Sequence, residues 1–413
     1  MSSEILDVIV VGGGAAGYFG ALQACSGGPA QVRILESGRK TLEKVKISGG
    51  GRCNVTHACF DPRELVAFYP RGGKELRGAF HRFGPKDTIA WFAERGVKLK
   101  TEEDGRMFPV TDSSSTILDC FEEERRNKRI QISLGASVLA AKKLDSEIFE
   151  VTLSNGETLF ARNVLLAAGS SRTGHALVRA FGHSLTPLAP SLFTFNCSEQ
   201  GLRELAGVAA ERVKAAIVIG DQKIASSEGP LLVTHWGVSG PAVLKLSAWA
   251  ARELLQADYH AKLVVDWAPS IKREQLQQAL VLQKSQQARK HVVRASPLEL
   301  PSRLWEHLAR RLLSQAADRP WGELSDAMLT TFANSLNAYE LEISGKGQFK
   351  EEFVTCGGVT LSEVDFRTMQ SKLVPGLFFA GEILDIDGVT GGFNFQSAWT
   401  TAWIAGSEIT ARL

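Results

Sequence analysis

Three glycines at a fixed spacing are the first residues that could do chemistry. Gly12, Gly14 and Gly17 lie in the run Gly12-Gly13-Gly14-Ala15-Ala16-Gly17, a G-x-G-x-x-G pattern. Val8 to Val11 precedes it, a short apolar run suited to a parallel strand buried on both faces. An Ala-rich stretch from Ala15 to Cys25 reads as a helix, ended by Gly27-Gly28-Pro29. A second strand, Val32 to Leu35, finishes at Glu36, beside Ser37. In that order each glycine has a mechanical reason. Gly12 permits the tight turn, Gly14 lets the backbone approach a pyrophosphate, and Gly17 lets the helix pack closely on the sheet. The helix start at Ala15 and Ala16 offers free N–H groups and a partial positive charge to phosphates. Glu36 is spaced to accept hydrogen bonds from an adenosine ribose. The pattern predicts a dinucleotide site. It does not separate FAD from NAD, because both contain adenosine pyrophosphate.

Residues further along favour FAD. Lys44 to Thr56 reads KVKISGGGRCNVT, and its three consecutive glycines make a loop that can lie against a ligand. Lys44, Gly50, Gly51, Arg52, Cys53 and Asn54 are the contacts expected there. Phe149–Leu153 and Thr158–Ala161 flank Asn155-Gly156, a strong hairpin signal. Val164 to Ala167 is another buried strand, ending in Ala168-Gly169, where two-dinucleotide-fold flavoproteins carry Ala-Thr-Gly against the cofactor. Near the other end of the chain, the strand Leu377 to Ala380 runs into Gly381-Glu382. Many FAD proteins hold Gly-Asp at this place, with the acid on the ribityl chain. The run from Gly388 to Gln396 then reads as a Gly-rich turn opening a helix from about Ser397 to Thr410. Gly391, Gly392, Phe393, Asn394 and Phe395 would put free N–H groups beside the flavin N1–C2=O edge and favour negative charge there. A second cofactor element this far from the first suits FAD, which is long enough to need both.

These motifs occur in one order: SGGGRCNVT at 48–56, GRMFPVTD at 105–112, VTHWGVSGP at 233–241, VTCGGV at 354–359 and AGEILDIDGVTGGFNFQSAW at 380–399. Together they resemble the BaiN/YhiN-like, or aminoacetone-oxidase-like, family of bacterial FAD-binding flavoproteins, over nearly the whole chain. The resemblance implies an α/β architecture, with a Rossmann-like FAD-binding domain assembled from both chain ends. It also implies an inserted middle domain of a small β-barrel plus helices. Reduction of conjugated keto-steroids and oxidation of small amino-ketones are linked to the family. In one place the sequence departs from it. After the strand at 164–168 the family continues with Gly-Gly-x-Ser/Ala-Tyr-Pro and a second glycine cluster. Here the stretch is the shorter Gly169-Ser170-Ser171-Arg172-Thr173-Gly174-His175.

Stepping from motifs to the elements that carry them, 413 residues suggest two or three domains. We expect the FAD domain at 1–190 and 355–413, and the inserted substrate or cap domain at 191–354. The helical part of the insert, about 270–336, is broken near Pro297, Pro301 and Pro320. Gly240-Pro241 should start a helix, with proline where its missing N–H costs little. Val213–Ile219, Lys223–Ala225 and Leu231–Thr234 read as strands. The Gln/Lys/Arg run at 277–294 reads as a solvated helix face.

Composition narrows the function classes. Lys and Arg number 47 against 45 Asp and Glu, a net charge of +2 that gives no reason to expect nucleic acid or a membrane surface. No run approaches a membrane span, and MSSEILDVIVV is not a secretory signal. Six cysteines in a chain this long imply reduced thiols and a cytoplasmic protein. No Cys or His set has metal-ligand spacing. An insert packed over the flavin would form a substrate pocket, with His235 the candidate proton donor and Tyr339 and Lys346 further candidates. Cys53 is a second catalytic candidate. Its spacing to Cys59 is C-x-x-x-x-x-C, unlike the redox pair of flavin disulfide reductases, and no second G-x-G-x-x-G is present. The expectation is an FAD-dependent oxidoreductase acting on a small unsaturated carbonyl or amino-ketone, with NAD(P)H as a possible transient donor. Three alternatives are a non-catalytic or redox-sensing FAD protein, a flavin disulfide reductase, against which the cysteine spacing counts, and an FAD-dependent tRNA-modifying enzyme, against which near-neutral charge and the lack of a basic stripe count. Oligomeric state is not read from the sequence.

Overall fold

The computed structural model describes residues 5–347 and 354–413. Val8, Ile9 and Val10 are fully buried, as a strand covered on both faces requires. Their strand, Ile5–Val11, pairs in parallel with Val32–Glu36 on one side and with Thr158–Leu166 on the other, so that Val10 lies opposite both Ile34 and Leu165. Gln131–Leu134 extends the sheet in parallel beyond the second strand. Leu377–Phe379 extends it in parallel beyond Thr158–Leu166. Short antiparallel strands at 364–365 and 370–371 finish one edge, and the pair Val138–Lys143 and Phe149–Leu153 forms an antiparallel arm. The sequence reading split 158–161 from 164–167, whereas the structure has one strand. Arg162 projects to solvent and is 3.5 Å from Asp7, and Asn163 donates to the Asp7 carbonyl at 3.2 Å, so two polar residues ride within a continuous ladder.

The two ends of the chain build this unit, Met1–Leu188 with Val354–Leu413. The first helix, Ala15–Ala24, packs on the last, Phe393–Arg412, where glycines meet. A Cβ on Gly406 would lie 2.7 Å from the Gly20 carbonyl oxygen and 2.6 Å from Gln23 Cβ. Thr410 donates to the Gln23 carbonyl at 2.9 Å, and the Gln23 amide donates to Ser407 at 3.1 Å. Trp399 is fully buried; its indole N–H donates to the Val55 carbonyl at 3.0 Å, and its ring lies 5.4 Å from Phe19 and 5.6 Å from Phe121.

The inserted unit, Ala189–Phe353, contains a closed six-stranded antiparallel barrel. Its long hairpin is Ala209–Ile219 with Gln222–Thr234, turning at Gly220-Asp221. Gly229-Pro230 breaks the residue pattern but not the strand, for Val213 still pairs with Gly229. Pro241 occupies the first turn of the helix Pro241–Trp249. Helices Arg273–Gln286, Ser302–Leu313 and Asp326–Asn337 follow, and Trp305, Trp321 and Phe332 pack in one core with the barrel. Among the described residues no helix is long and apolar enough to cross a membrane.

The close helix contact in the first unit is testable. Gly406→Val should lower stability by about 1–3 kcal/mol through overpacking against backbone, read from the midpoint of denaturant unfolding.

Candidate cofactor site

Because Ile5–Val11, Thr158–Leu166 and Leu377–Phe379 are parallel neighbours, their carboxyl ends lie on one sheet edge, the edge where doubly wound sheets bind ligands. Three segments meet there at glycines. Gly12 has φ +108°, and a Cβ on it would sit 2.5 Å from the Ala167 carbonyl oxygen and 2.9 Å from Ala168 Cα. A Cβ on Gly17 would sit 1.9 Å from the Gly12 carbonyl oxygen. A Cβ on Gly381 would meet Ala16 Cβ at 2.7 Å, and the Gly381 N–H donates to Thr401 at 3.0 Å. Gly14 is the exception. It is the N-cap of the first helix, no side chain caps that helix, and a Cβ there would meet nothing within 4 Å. Tight glycines around one open glycine at an uncapped helix start leave room and dipole for a phosphate, so the residues present fit a dinucleotide pyrophosphate.

Glu36 ends its strand beside this loop. Its carboxylate accepts from Gly13 N–H at 2.8 Å and Gly38 N–H at 2.6 Å, and the Ser37 hydroxyl donates to it at 3.3 Å. These bonds fix the acid against the glycine loop and leave acceptor capacity for hydroxyls. Lys44 and Glu382, far apart in sequence, form an ion pair at 2.6 Å. Glu382 also accepts from Thr355 N–H at 2.9 Å, and its carboxylate lies 3.5 Å from where a Cβ on Gly169 would stand. The shortened stretch after Gly169 is not a bare loop. Ser171 caps a helix, Arg172–Ala180, by accepting from Gly174 N–H at 3.0 Å.

The second glycine loop and the C-terminal turn meet in the same unit. The segment 48–50 breaks out of helical geometry, and a Cβ on Gly50 or Gly51 would meet nothing within 4 Å. Arg52 and Asn54, expected at the cofactor, are committed elsewhere. Arg52 pairs with Glu102 at 2.6 Å and lies 3.9 Å over the Phe108 ring. Asn54, with its amide oriented to satisfy its neighbours, accepts from Gly392 N–H at 3.0 Å and donates to the Thr56 carbonyl at 3.0 Å. Asn54 therefore ties the two loops together.

The terminal helix begins four residues earlier than the sequence suggested. Gly392, at φ +92°, is its N-cap, and a Cβ there would lie 2.5 Å from the Thr56 carbonyl oxygen. Phe393, Asn394 and Phe395 are thus the first helical turn. Phe393 is buried in a three-ring cluster with Phe68 at 4.4 Å and His57 at 4.7 Å, and its carbonyl accepts from Tyr69 at 2.6 Å. Asn394 clamps Gly388 through both its carbonyl and its N–H at 2.8 Å. Phe395 stacks on Trp399 at 5.5 Å. These three side chains shape the turn at the start of the helix.

Two buried polar elements here escaped sequence reasoning. Gln396 accepts from Thr56 at 2.6 Å and Thr88 at 2.9 Å and donates to Thr400 at 3.0 Å, all buried. Asp387, fully buried, forms a bidentate ion pair with Arg71. Within AGEILDIDGVTGGFNFQSAW the pattern of polar residues between apolar ones was the available signal.

His235 belongs to the inserted unit. It is exposed and lines a cleft of about 740 Å³ with Asn196, Arg203, Trp236 and Ser344. Tyr339 is buried in that unit and donates to Glu199 at 2.5 Å, which also bonds His307 at 2.8 Å. Burial and the Glu199 carboxylate raise the Tyr339 phenol well above its ordinary range. Lys346 lies 5.4 Å over the Tyr259 ring. No group of metal-binding side chains occurs among the described residues.

All six cysteines are free thiols, and Cys53 is fully buried at φ +62°. Burial pushes its thiol from 9.0 up to about 12, with the Ser48 bond opposing. A nucleophilic or redox cysteine needs accessible thiolate, so this geometry argues against Cys53 as a catalytic group. In the folded protein the proton is held more tightly than in the unfolded chain. The stability this contributes is complete below about pH 9 and is lost as pH rises towards about 12. Iodoacetamide at about pH 8 should leave Cys53 unmodified in native protein and alkylate it in denatured protein, read by peptide mass spectrometry. Native alkylation would restore it as a candidate.

The chain matches the family model described as HI0933-like protein Rossmann domain over residues 6–408. It is 30% identical over 418 residues to a 3-dehydro-bile acid delta(4,6)-reductase of Clostridium scindens, covering 98% of each chain. It is 29% identical over 417 residues to a ribosomal RNA dihydrouridine synthase of Escherichia coli, covering 99% of each. Among solved structures, the 3-ketosteroid-delta4-(5alpha)-dehydrogenase of Rhodococcus jostii superposes with a TM-score of 0.52 at 14% identity, over 99% of this chain and 98% of that one, a likeness of fold. The whole-chain match agrees with the resemblance carried by the motifs, and this protein belongs to the HI0933-like family of FAD-binding Rossmann oxidoreductases.

Proposed function

We propose that the chain is an FAD-dependent reductase of carbon–carbon double bonds conjugated to a carbonyl, with NADH or NADPH as a transient external donor. The observation that carries this reading is the pair of whole-chain relatives. One is named for reducing a 3-dehydro bile acid at its delta(4,6) double bonds, the other for making dihydrouridine in ribosomal RNA. A steroid dienone and a uracil ring share an alkene in conjugation with a carbonyl. The second name also opens the possibility of a nucleic-acid substrate, which net charge alone had argued against.

When bound, FAD supplies a two-electron carrier between nicotinamide and substrate carbon. The chain's residues supply position and electrostatics. The amides at Gly14–Gly17 would face the pyrophosphate and Glu36, tied to the Gly13 N–H, the adenosine ribose, with Ser37 beside it. Glu382, held by Lys44, would receive the ribityl hydroxyls, and Ala168-Gly169 would line that stretch. Gly50 and Gly51 leave space along the ring. Gly391, Gly392 and the first turn of the last helix would set a positive dipole end at the ring's C2=O edge. Reduction adds hydride at the carbon β to the carbonyl and a proton at the α carbon. His235 is our candidate for delivering that proton.

The test is anaerobic. Photoreduced holoprotein is mixed with a cyclic enone, and separately with a uridine-containing RNA. Return of the oxidised flavin band together with a saturated product is expected for at least one of them. A band that stays bleached with both, yet returns on admitting oxygen, would point to an oxidase and sink the reductase reading. Gly14→Val should fill the open space at the first helix and purify without a flavin band; normal FAD content in that variant would move the pyrophosphate away from Gly14.

A further inference from the structure

The net charge of +2 conceals a segregation. Between Lys272 and Arg319 there are ten Lys and Arg against four Asp and Glu, so that stretch carries +6 while the remainder of the chain carries −4. The stretch lies within the helical part of the inserted unit. Arg289, Lys290, His291, Arg294 and Arg319 are all exposed. Arg294 approaches Glu306 only at 3.8 Å, and Arg310 holds Asp318 at 2.6 Å. Arg289, Lys290 and Arg319 have no carboxylate partner among the described residues.

Backbone geometry turns this composition into a surface. Segments 288–292 and 319–322 run antiparallel. Val292 N–H donates to Arg319 at 3.1 Å, Trp321 N–H to Lys290 at 2.9 Å and Gly322 N–H to Ala288 at 3.0 Å. A single antiparallel bridge pairs His291 with Pro320, so the Arg319 backbone meets that of Val292 and brings Arg319 to the Arg289–His291 run, although about thirty residues separate them in sequence. Two buried tryptophans lock the platform from below. Trp305 donates its indole N–H to the Val292 carbonyl at 2.8 Å, and Trp321 donates to that of Ala295 at 3.1 Å. A solvated charged helix face needs no such support. Cations on a fixed base, without acidic partners, suit a partner with repeating negative charge.

We propose that this basic ridge docks the phosphate backbone of RNA. The proposal rests on the reading of the chain as a reductase of conjugated carbonyls and names the polymer that carries one, uridine in RNA. Phosphate contacts of this kind position a substrate without reading its sequence. Specificity for the reacting base would then lie at the flavin.

The test is fluorescence anisotropy of the full-length holoprotein with a fluorescein-labelled, uridine-rich RNA stem-loop, over roughly 50–200 mM salt. Wild-type affinity should fall steeply with salt. The combined variant Arg289→Gln, Lys290→Gln, Arg319→Gln should bind at least about tenfold more weakly. Its log–log salt slope should be flatter by about 2, from three lost contacts at about 0.7 each. Its flavin content and its enone reduction should match wild type. Equal affinity and slope in the variant would overturn the ridge, as would absence of RNA binding by wild type, or preference for phosphatidylserine vesicles over RNA. Enone reduction measured on the same samples separates the two claims. RNA binding without any reduction of enone or uridine sinks the functional reading alone; reduction with no loss of binding in the variant sinks the ridge alone.

Discussion

Glycines packed too closely for any side chain, at the carboxyl ends of three parallel strands, are the contacts on which the candidate site depends. Gly12 lies against Ala167 and Ala168, Gly17 against Gly12, and Gly381 against Ala16. None of these contacts leaves room for a side chain. They bring residues near 12, 168 and 381 into one cradle, and the packing of the first helix on the last at Gly20 and Gly406 holds the distant chain ends in register with it. Glu36 and Glu382 each accept from main-chain N–H groups, and Lys44 pairs with the second oxygen of Glu382. A cofactor that meets this cradle pays little to organise it, because the glycines, the strand order and the uncapped helix start are in place beforehand.

Much of this was legible in the sequence because its signals are local. A buried strand, a spaced glycine run, a helix and an acid follow one another within thirty-six residues, and each constrains the next. The Asn155-Gly156 hairpin and the proline at the start of Pro241–Trp249 were readable for the same reason. What was not legible depends on partners far along the chain. Arg52 reads as a ligand hand until Glu102 and Phe108 are seen to occupy it. Asn54 and Asn394 read as cofactor contacts, yet one holds the Gly392 amide and the other clamps Gly388. The start of the last helix was placed late because glycines at 391 and 392 look like a turn that continues, when Gly392 is the cap itself. The buried hub at Gln396 joins residues more than three hundred positions apart, a distance over which no periodicity speaks.

Net charge is a total over the chain. A chain with nearly equal numbers of acids and bases gives no reason, as a total, to expect nucleic acid. The distribution is a different quantity, and the folded structure gathers unpaired cations from two chain segments onto one supported surface. Two relatives that share this chain's full length act, by their names, on substrates as unlike as a bile acid and ribosomal RNA. The flavin cradle answers to the chemistry common to both.

The central claim is that the cradle holds one FAD. The most direct measurement is the visible spectrum of the purified protein, before and after reconstitution with FAD and gel filtration. A flavin band should co-elute with the chain, with one FAD released per chain on denaturation. A protein that stays colourless after reconstitution, while folded by circular dichroism, would contradict it.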